Sequence, residues 1–454
     1  MTRIWATQAL LPSGWVQNVL VEVAHGRIAS ASAGTLAPAG AVRVPLLLPA
    51  PVNLHSHAFQ HAMAGLTEAR GPDPRDSFWT WRKLMFRFLD QLTPDDIETV
   101  AAFVQMRMLE AGYAGSVEFH YLHHAPGGVP YADLAETSVR IVAAAARSGI
   151  GLTLLPVLYQ QGGCDGRPLG PGQIRFGNDI ERFARLVEGA RRALSPLPAD
   201  TRLGLAPHSL RAVTPEALAA LPRLDDGPVH MHLAEQVGEV EEVLAHHGAR
   251  PVRHLLDTMP VDARWCLIHC TQMEPQETRA LAATGAVAGL CPITESSLGD
   301  GMFDGVRWLD AGGRFGIGSD SNIRISLSEE LRTLEYSQRL RDRSRAALAR
   351  PDASTGRVLF DGAVRGGAQA AARDSGVIAP GALADLMALD GEAVDLVGKS
   401  GDTLLDTFIF AGDDHMVRDV WSGGRHLVQA GRHVAHDAIV QRYGQTMRRL
   451  GDAI

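Results

Sequence analysis

Lysine is nearly missing from this chain: of 43 basic residues among 454, only Lys83 and Lys399 are lysines and the rest are arginines. A genome that favours arginine codons accounts for the bias, yet it leaves little room for chemistry that needs a lysine amine. Cysteine is scarce as well. The four present (Cys164, Cys266, Cys270, Cys291) show no paired spacing, which excludes a disulfide framework and leads us to expect a reducing, cytoplasmic setting. No stretch approaches the ~18 consecutive apolar residues of a membrane span. The opening "MTRIWATQALLPSGWVQNVLVEV" alternates and breaks at Pro-Ser-Gly, and it lacks the continuous apolar core of a signal peptide. Positive charge is not in excess: the net charge of -8 disfavours nucleic acid or an anionic membrane as a partner. Nor does any G-x-G-x-x-G follow an early strand, which argues against a doubly wound dinucleotide-binding sheet.

What is present is an ordinary globular composition, 46% hydrophobic and 21% charged. The length suits a large α/β domain of ~250–300 residues plus a smaller one. Short apolar runs recur, each followed by a helical pattern: "LLLPAPVNLHSH", "GSVEFHYLHH", "GLTLLPVLYQ", "TRLGLAPHSL", "GPVHMHLAEQ", "RWCLIHCTQM", "GAVAGLCPIT" and "GRFGIGSDSN". Eight β-then-α units in series predict a closed parallel (β/α)8 TIM-type barrel over residues 49–378. The ends differ, with period-two patterning and Gly turns. Residues 1–48 and 379–454 read as one small β-sandwich built from both termini. A long polar helix at 326–349 should cover the barrel after its last strand.

A parallel barrel carries its chemistry at the C-terminal ends of its strands. The first run ends in His55 and His57, which share a face as residues i and i+2 of a strand. An H-x-H pair is weak evidence alone. The second run ends in Glu118, His120 and Tyr121, and the fourth in His208 with Arg211 beyond it. The fifth ends in His232 with Glu235 close behind, the sixth in His269 and the eighth in Asp320. Any one of these reads as a satisfied core or surface side chain. The set, on one rim, reads as a site.

H-x-H on strand one, His on strands five and six and Asp on strand eight resemble the amidohydrolase superfamily over essentially the whole chain, and "GVIAPGALADLMALD" is similar to its flanking sandwich. Within it, "HSHAFQHAMAGLTE", "APHSLRAVTP", "HMHLAEQ" and "GIGSDSN" resemble the formimidoylglutamate deiminase family of histidine degradation. That family hydrolyses N-formimino-L-glutamate to N-formyl-L-glutamate and ammonia. His55, His57, His232 and Asp320 then make a zinc set with room for a water. Superfamily members with two metals commonly bridge them through a carboxylated lysine at the end of strand four. Here that position offers His208, and neither lysine is suitably placed, so one Zn2+ per chain is expected.

On this resemblance Asp320 takes the proton of the attacking water, His269 orients that water, and Glu235 gives a proton to the departing nitrogen. The competing reading of Glu235 is a carboxylate favoured at a helix N-terminus. Arg82, in "FWTWRKLMF", and Arg211 match positions that hold the glutamyl part of the substrate, helped by Gln60, Tyr121 and His208. Taken alone, both arginines read as surface residues. His123 and His124 read as lining only, His246, His247 and His254 as solvated, and His415, His426, His433 and His436 as sandwich residues. Cys270, beside His269, should face away from it. The superfamily suggests a homodimer acting on a small dicarboxylate. Two other classes compete: a single-zinc deaminase of guanine, a related heterocycle or an s-triazine, and a non-catalytic scaffold, which should have lost metal ligands.

Overall fold

Pro49-Ala50-Pro51 divides the most apolar run of the chain into strands of two different sheets. A computed structural model describes residues 1–68 and 78–451, leaving out the side chains of residues 78–80 and 83; that of Lys83 therefore lies outside the described residues. The run expected as one barrel strand is β4 (Val42–Pro49), in the flanking sheet, followed by β5 (Val52–Ser56), the first barrel strand. Proline has no N–H to give a sheet ladder, so two of them close together end one strand before the next begins.

The flanking sheet among the described residues has eight strands in the order β17-β16-β15-β14-β4-β1-β2-β3. It joins β1 (Thr2–Leu11), β2 (Gly14–Ala24) and β3 (Arg27–Ser32) to β14 (Leu386–Leu389), β15 (Val417–Ser422), β16 (Arg425–Gln429) and β17 (Arg432–His433). Both termini thus contribute. One face of it buries its own apolar cluster, including Ile4, Val21, Leu47, Leu386 and Trp421, so the sheet closes over a core as a sandwich does.

The barrel strands are β5, β6 (Gly115–His120), β7 (Gly151–Leu158), β8 (Arg202–Leu203) with β9 (Ala206–Pro207), β10 (Val229–Leu233), β11 (Trp265–His269), β12 (Val287–Leu290) and β13 (Arg314–Ile317). Pairing is parallel throughout. Parallel bridges from Leu205 to Val229 and from Ser56 to Asp320 close the ring. The fourth strand is split at Gly204, where a Cβ would lie 2.5 Å from the Pro228 carbonyl.

Helices cover the outside, and their starts follow the sequence. Thr93 and Asp96 form a reciprocal capping box ahead of the helix Pro94–Glu110. The polar helix is shorter than its pattern, Leu327–Asp342. The C-terminal helix His436–Gly451 leaves the sandwich and packs on the Pro94–Glu110 helix, with His436 Nδ1 2.7 Å from Glu110. No helix among the described residues is long and apolar enough to cross a membrane.

Sheet and barrel are pinned together by buried charge. Arg373 holds Asp385 at 2.9 Å and Asp200 at 3.0 Å, and Arg425 of β16 grips Asp200 from the other side at 2.8 Å.

Candidate active site

At the C-terminal mouth of the barrel, His55, His57, His232 and Asp320 are all buried, and one ligand atom from each lies within 4.8 Å of the others. The approach of strand eight to strand one makes this possible. Asp320 N–H donates to the His55 carbonyl and its own carbonyl accepts from His57 N–H, both at 2.9 Å. Behind them, Gly318 leaves no room for a side chain: a Cβ there would sit 2.6 Å from the Cβ of His55. The rim bends sharply. Ala234, His269, Cys270, Asp320 and Asn322 all have left-handed φ between 47° and 71°, a clustering typical of functional sites.

The proton arrangement fits a cation. His57 donates its Nδ1–H to the Phe119 carbonyl at 2.9 Å and His232 donates its own to the His208 carbonyl at 3.1 Å, which turns a lone pair on each Nε2 toward Asp320 and His55. Nε2 of His55 and Nε2 of His232 face each other at 3.2 Å, while Asp320 Oδ1 is 3.2 Å from His57 Nε2 and 3.4 Å from His55 Nε2. Burial, together with neighbouring imidazoles, lowers His55 to about 3 and holds His232 well below the usual histidine range. Converging lone pairs around a carboxylate repel one another unless a cation sits among them. Three neutral imidazoles and one carboxylate suit a divalent metal of the zinc type, which the residues present can therefore hold.

His269 and Glu235 flank this set. The Nε2 of His269 is 3.8 Å from Glu235 and 3.9 Å from Asp320, and its Nδ1 donates to Glu295 at 3.2 Å. Burial would lower this imidazole, but Glu235, Glu295 and Asp320 around it push it up to about 10. Burial also raises the Glu235 carboxyl, with Asp320 and Glu239 adding to the effect against His269 and Arg211. The carboxylate that caps the turn before the next helix is Glu239, which accepts the Glu235 N–H at 2.9 Å; the helix-terminus role thus falls to a different residue.

The pocket wall brings together Gln60, Arg82, Tyr121, His208 and Arg211, all five expected from the sequence. Gln60 donates to the Tyr121 hydroxyl at 2.7 Å, and Arg82 to the Tyr159 hydroxyl at 2.9 Å. Arg211 is 5% exposed, so it is no surface arginine; burial pulls its guanidinium down, but Glu239, Tyr159 and Glu235 raise it overall.

The expectations for His120, His123 and His124 are corrected. His123 and His124 do not line the pocket; they point outward to the carbonyls of Val157 and Gly177, each at 2.9 Å. His120 likewise turns to Thr137 on the outer helix. His247 and His254 stack at 4.1 Å between outer helices, remote from the mouth. Cys270 Sγ contacts the Leu267 carbonyl, and the thiol that sits beside His269 and Glu295 is Cys291.

Sequence reasoning passed over two groups. Strands three and seven received no candidates: Tyr159 stands just after the third strand, where the strand-end pattern reaches it, whereas Glu295 lies in the helix Pro292–Leu298 after the seventh strand, beyond that pattern. The second group lies beneath the ligands. Asn53 donates to Ser319 at 2.7 Å, Ser319 to Asn322 at 2.6 Å, Asn322 to Ser56 at 3.2 Å and Ser56 to Glu118 at 2.8 Å. Burial pushes Glu118 up to about 7 against its bonds from Ala58 N–H and Ser56.

Comparison with known proteins agrees with this geometry. The sequence pattern of the Amidohydrolase family matches residues 46–427, and that of the N-terminal domain of Formimidoylglutamate deiminase HutF matches residues 1–43. A formimidoylglutamate deiminase of Pseudomonas aeruginosa is 48% identical over 456 residues, spanning 100% of each chain. A crystal structure of an amidohydrolase from Brucella melitensis superposes with a TM-score of 0.95 at 49% identity, over 99% of this chain and 100% of that one. An adenosine deaminase from Xanthomonas campestris with bound zinc shares the fold, at a TM-score of 0.83 and 21% identity over 99% and 98% of the two chains.

Proposed function

This chain belongs to the amidohydrolase family, and we propose that it is a zinc-dependent deiminase that hydrolyses N-formimino-L-glutamate to N-formyl-L-glutamate and ammonia, a step of histidine degradation. One observation carries this reading: a single pocket joins the His55, His57, His232 and Asp320 set to two guanidiniums, Arg82 and Arg211. A linear amidine with two carboxylates has that same polarity, and planar guanidinium forks suit carboxylates. The full-length likeness to a formimidoylglutamate deiminase supports the same substrate.

His55, His57, His232 and Asp320 would hold one metal per chain. When bound, zinc lowers the pKa of a coordinated water to ~7 and so provides hydroxide at neutral pH. Asp320 takes a proton from the attacking water, and His269, held by Glu295, orients that water through Nε2. Attack falls on the formimino carbon. Glu235, its carboxyl raised by burial, gives its proton to the terminal nitrogen as the carbon–oxygen bond forms; the proton taken by Asp320 follows, the C–N bond breaks to release ammonia, and the hydroxyl proton passes to Glu235 as the formyl C=O forms. The glutamyl nitrogen stays because its carboxylates are anchored by Arg82 and Arg211, with Gln60, Tyr121 and His208 completing the wall.

Trp81, Tyr121, Tyr159 and Phe176 also line the pocket, and such an aromatic wall suits a heterocyclic amine. The deciding experiment is ammonia release by the purified protein from N-formimino-L-glutamate beside guanine and adenosine, with zinc measured on the same sample. We expect about one zinc per chain and turnover of the amidine alone. Ammonia from guanine or adenosine in preference would replace the substrate reading, and a protein with neither zinc nor turnover would be a scaffold.

A further inference from the structure

Tyr159 follows β7 at the end of the third barrel strand, with 2% of its surface exposed, in the wall of the pocket. Its ring is fixed, 4.5 Å from the ring of His208 and 5.6 Å from that of Phe176. Two N–H groups converge on its phenolic oxygen: Arg82 Nη2 at 2.9 Å and Gln173 Nε2 at 2.8 Å. Gln173 is itself pinned, its Oε1 accepting the Gly170 N–H at 2.9 Å. A hydroxyl has one hydrogen to give and two places to accept. Both acceptor places of Tyr159 are filled, and the hydrogen bonds it makes among the described residues are ones it accepts. Tyr121 differs, since its hydroxyl accepts from Gln60 and donates toward the sulfur of Met85 at 3.7 Å. Leaving a buried donor unmade is costly, and a charged N–H donating to a phenol makes its remaining O–H a stronger donor.

We infer that Tyr159 is a specificity-determining residue: its O–H donates to the substrate carboxylate that Arg82 holds, and Gln173 is the positioning residue that aims it. This rests on the dicarboxylate reading above. Around that carboxylate the protein then offers donors only, so an amide in its place brings N–H groups against N–H and O–H groups and is rejected.

The test compares wild type, Tyr159→Phe and Gln173→Leu on N-formimino-L-glutamate and on its two mono-amides, with zinc content and Tm as controls. Wild type should prefer the diacid to at least one mono-amide. Loss of a hydrogen bond to a charged group predicts a fall in kcat/KM for the diacid of about 10- to 100-fold in Tyr159→Phe, chiefly through KM, and a narrowed preference over that mono-amide. Gln173→Leu should raise KM in the same direction by less, with kcat nearly held. Should wild type discriminate and Tyr159→Phe discriminate equally, the role given to Tyr159 is wrong while the substrate reading stands. If wild type itself makes no distinction, the dicarboxylate reading fails and this inference with it. Were Tyr159→Phe unable to fold, Gln173→Leu decides alone, and an unchanged KM there overturns the inference.

Discussion

Of the three carboxylates around His269, Glu235 and Glu295 do different work from each other. Glu235 faces the pocket with its carboxyl raised by burial, whereas Glu295 sits behind the ring, accepting from Nδ1 and from the Cys291 N–H at 2.9 Å. Glu235→Gln removes the proton donor, and kcat should drop by ~10²–10⁴-fold with zinc retained. Glu295→Gln keeps the shape but removes the charge that holds the imidazolium. Its kcat should fall by about 10- to 100-fold, because a hydrogen bond between charged groups is lost. Steady-state kinetics on zinc-matched samples separate the two, and an unchanged kcat in Glu295→Gln would mean that Glu235 and Asp320 suffice to hold the ring. Glu235 was legible in the sequence from its place after His232. Glu295 was not, because it lies within the helix Pro292–Leu298, beyond the end of its strand, where strand-end reasoning does not look.

Strand alternation explains less of the metal set than its spacing suggests. β5 ends at Ser56, and His57 already has φ -116° and ψ 80°, so the shared direction of His55 and His57 depends on the bridge to Asp320 as much as on the period of two. The rim residues with left-handed φ were equally invisible, since apolar periodicity carries no information about where a strand turns. The eight runs themselves were readable because parallel barrel strands are buried on both faces and show as near-continuous apolar stretches. At this scale Gly318 is the sharpest test. Adding one methyl presses on the backbone N and O of His55, each within 2.8 Å of the new Cβ. Gly318→Ala should cost about 1–3 kcal/mol of stability through overpacking and lower zinc content together with activity. Full zinc occupancy in a stable Gly318→Ala protein would show that strand eight does not set the ligand geometry.

Across the whole molecule, the sandwich was legible as strands from both ends, but its attachment to the barrel was not: Asp200 lies 173 residues from Arg373, and neither these two nor Asp385 carries a pattern. Arg373→Met leaves buried Asp385 without its cation and Asp200 with Arg425 alone, and should destabilise the protein by about 3–5 kcal/mol. Burial alone would raise the Asp200 carboxyl, but Arg425 and Arg373 hold it below its ordinary value. A depressed carboxylate stabilises the fold above its unfolded pKa of ~3.9 and loses that contribution as pH falls through the folded value. Denaturant unfolding of zinc-free protein should therefore weaken below about pH 4, and less steeply in Arg373→Met. A pH slope unaltered by the substitution would place the acid sensitivity elsewhere. In the proposed reaction water attacks the formimino carbon and the terminal nitrogen leaves while the glutamyl nitrogen stays tethered. NMR of N-formimino-L-glutamate turned over by the wild-type protein reads this directly. N-formyl-L-glutamate and ammonia in equal amounts are expected, and glutamate with formamide, or no turnover by the zinc-loaded protein, would contradict this chemistry.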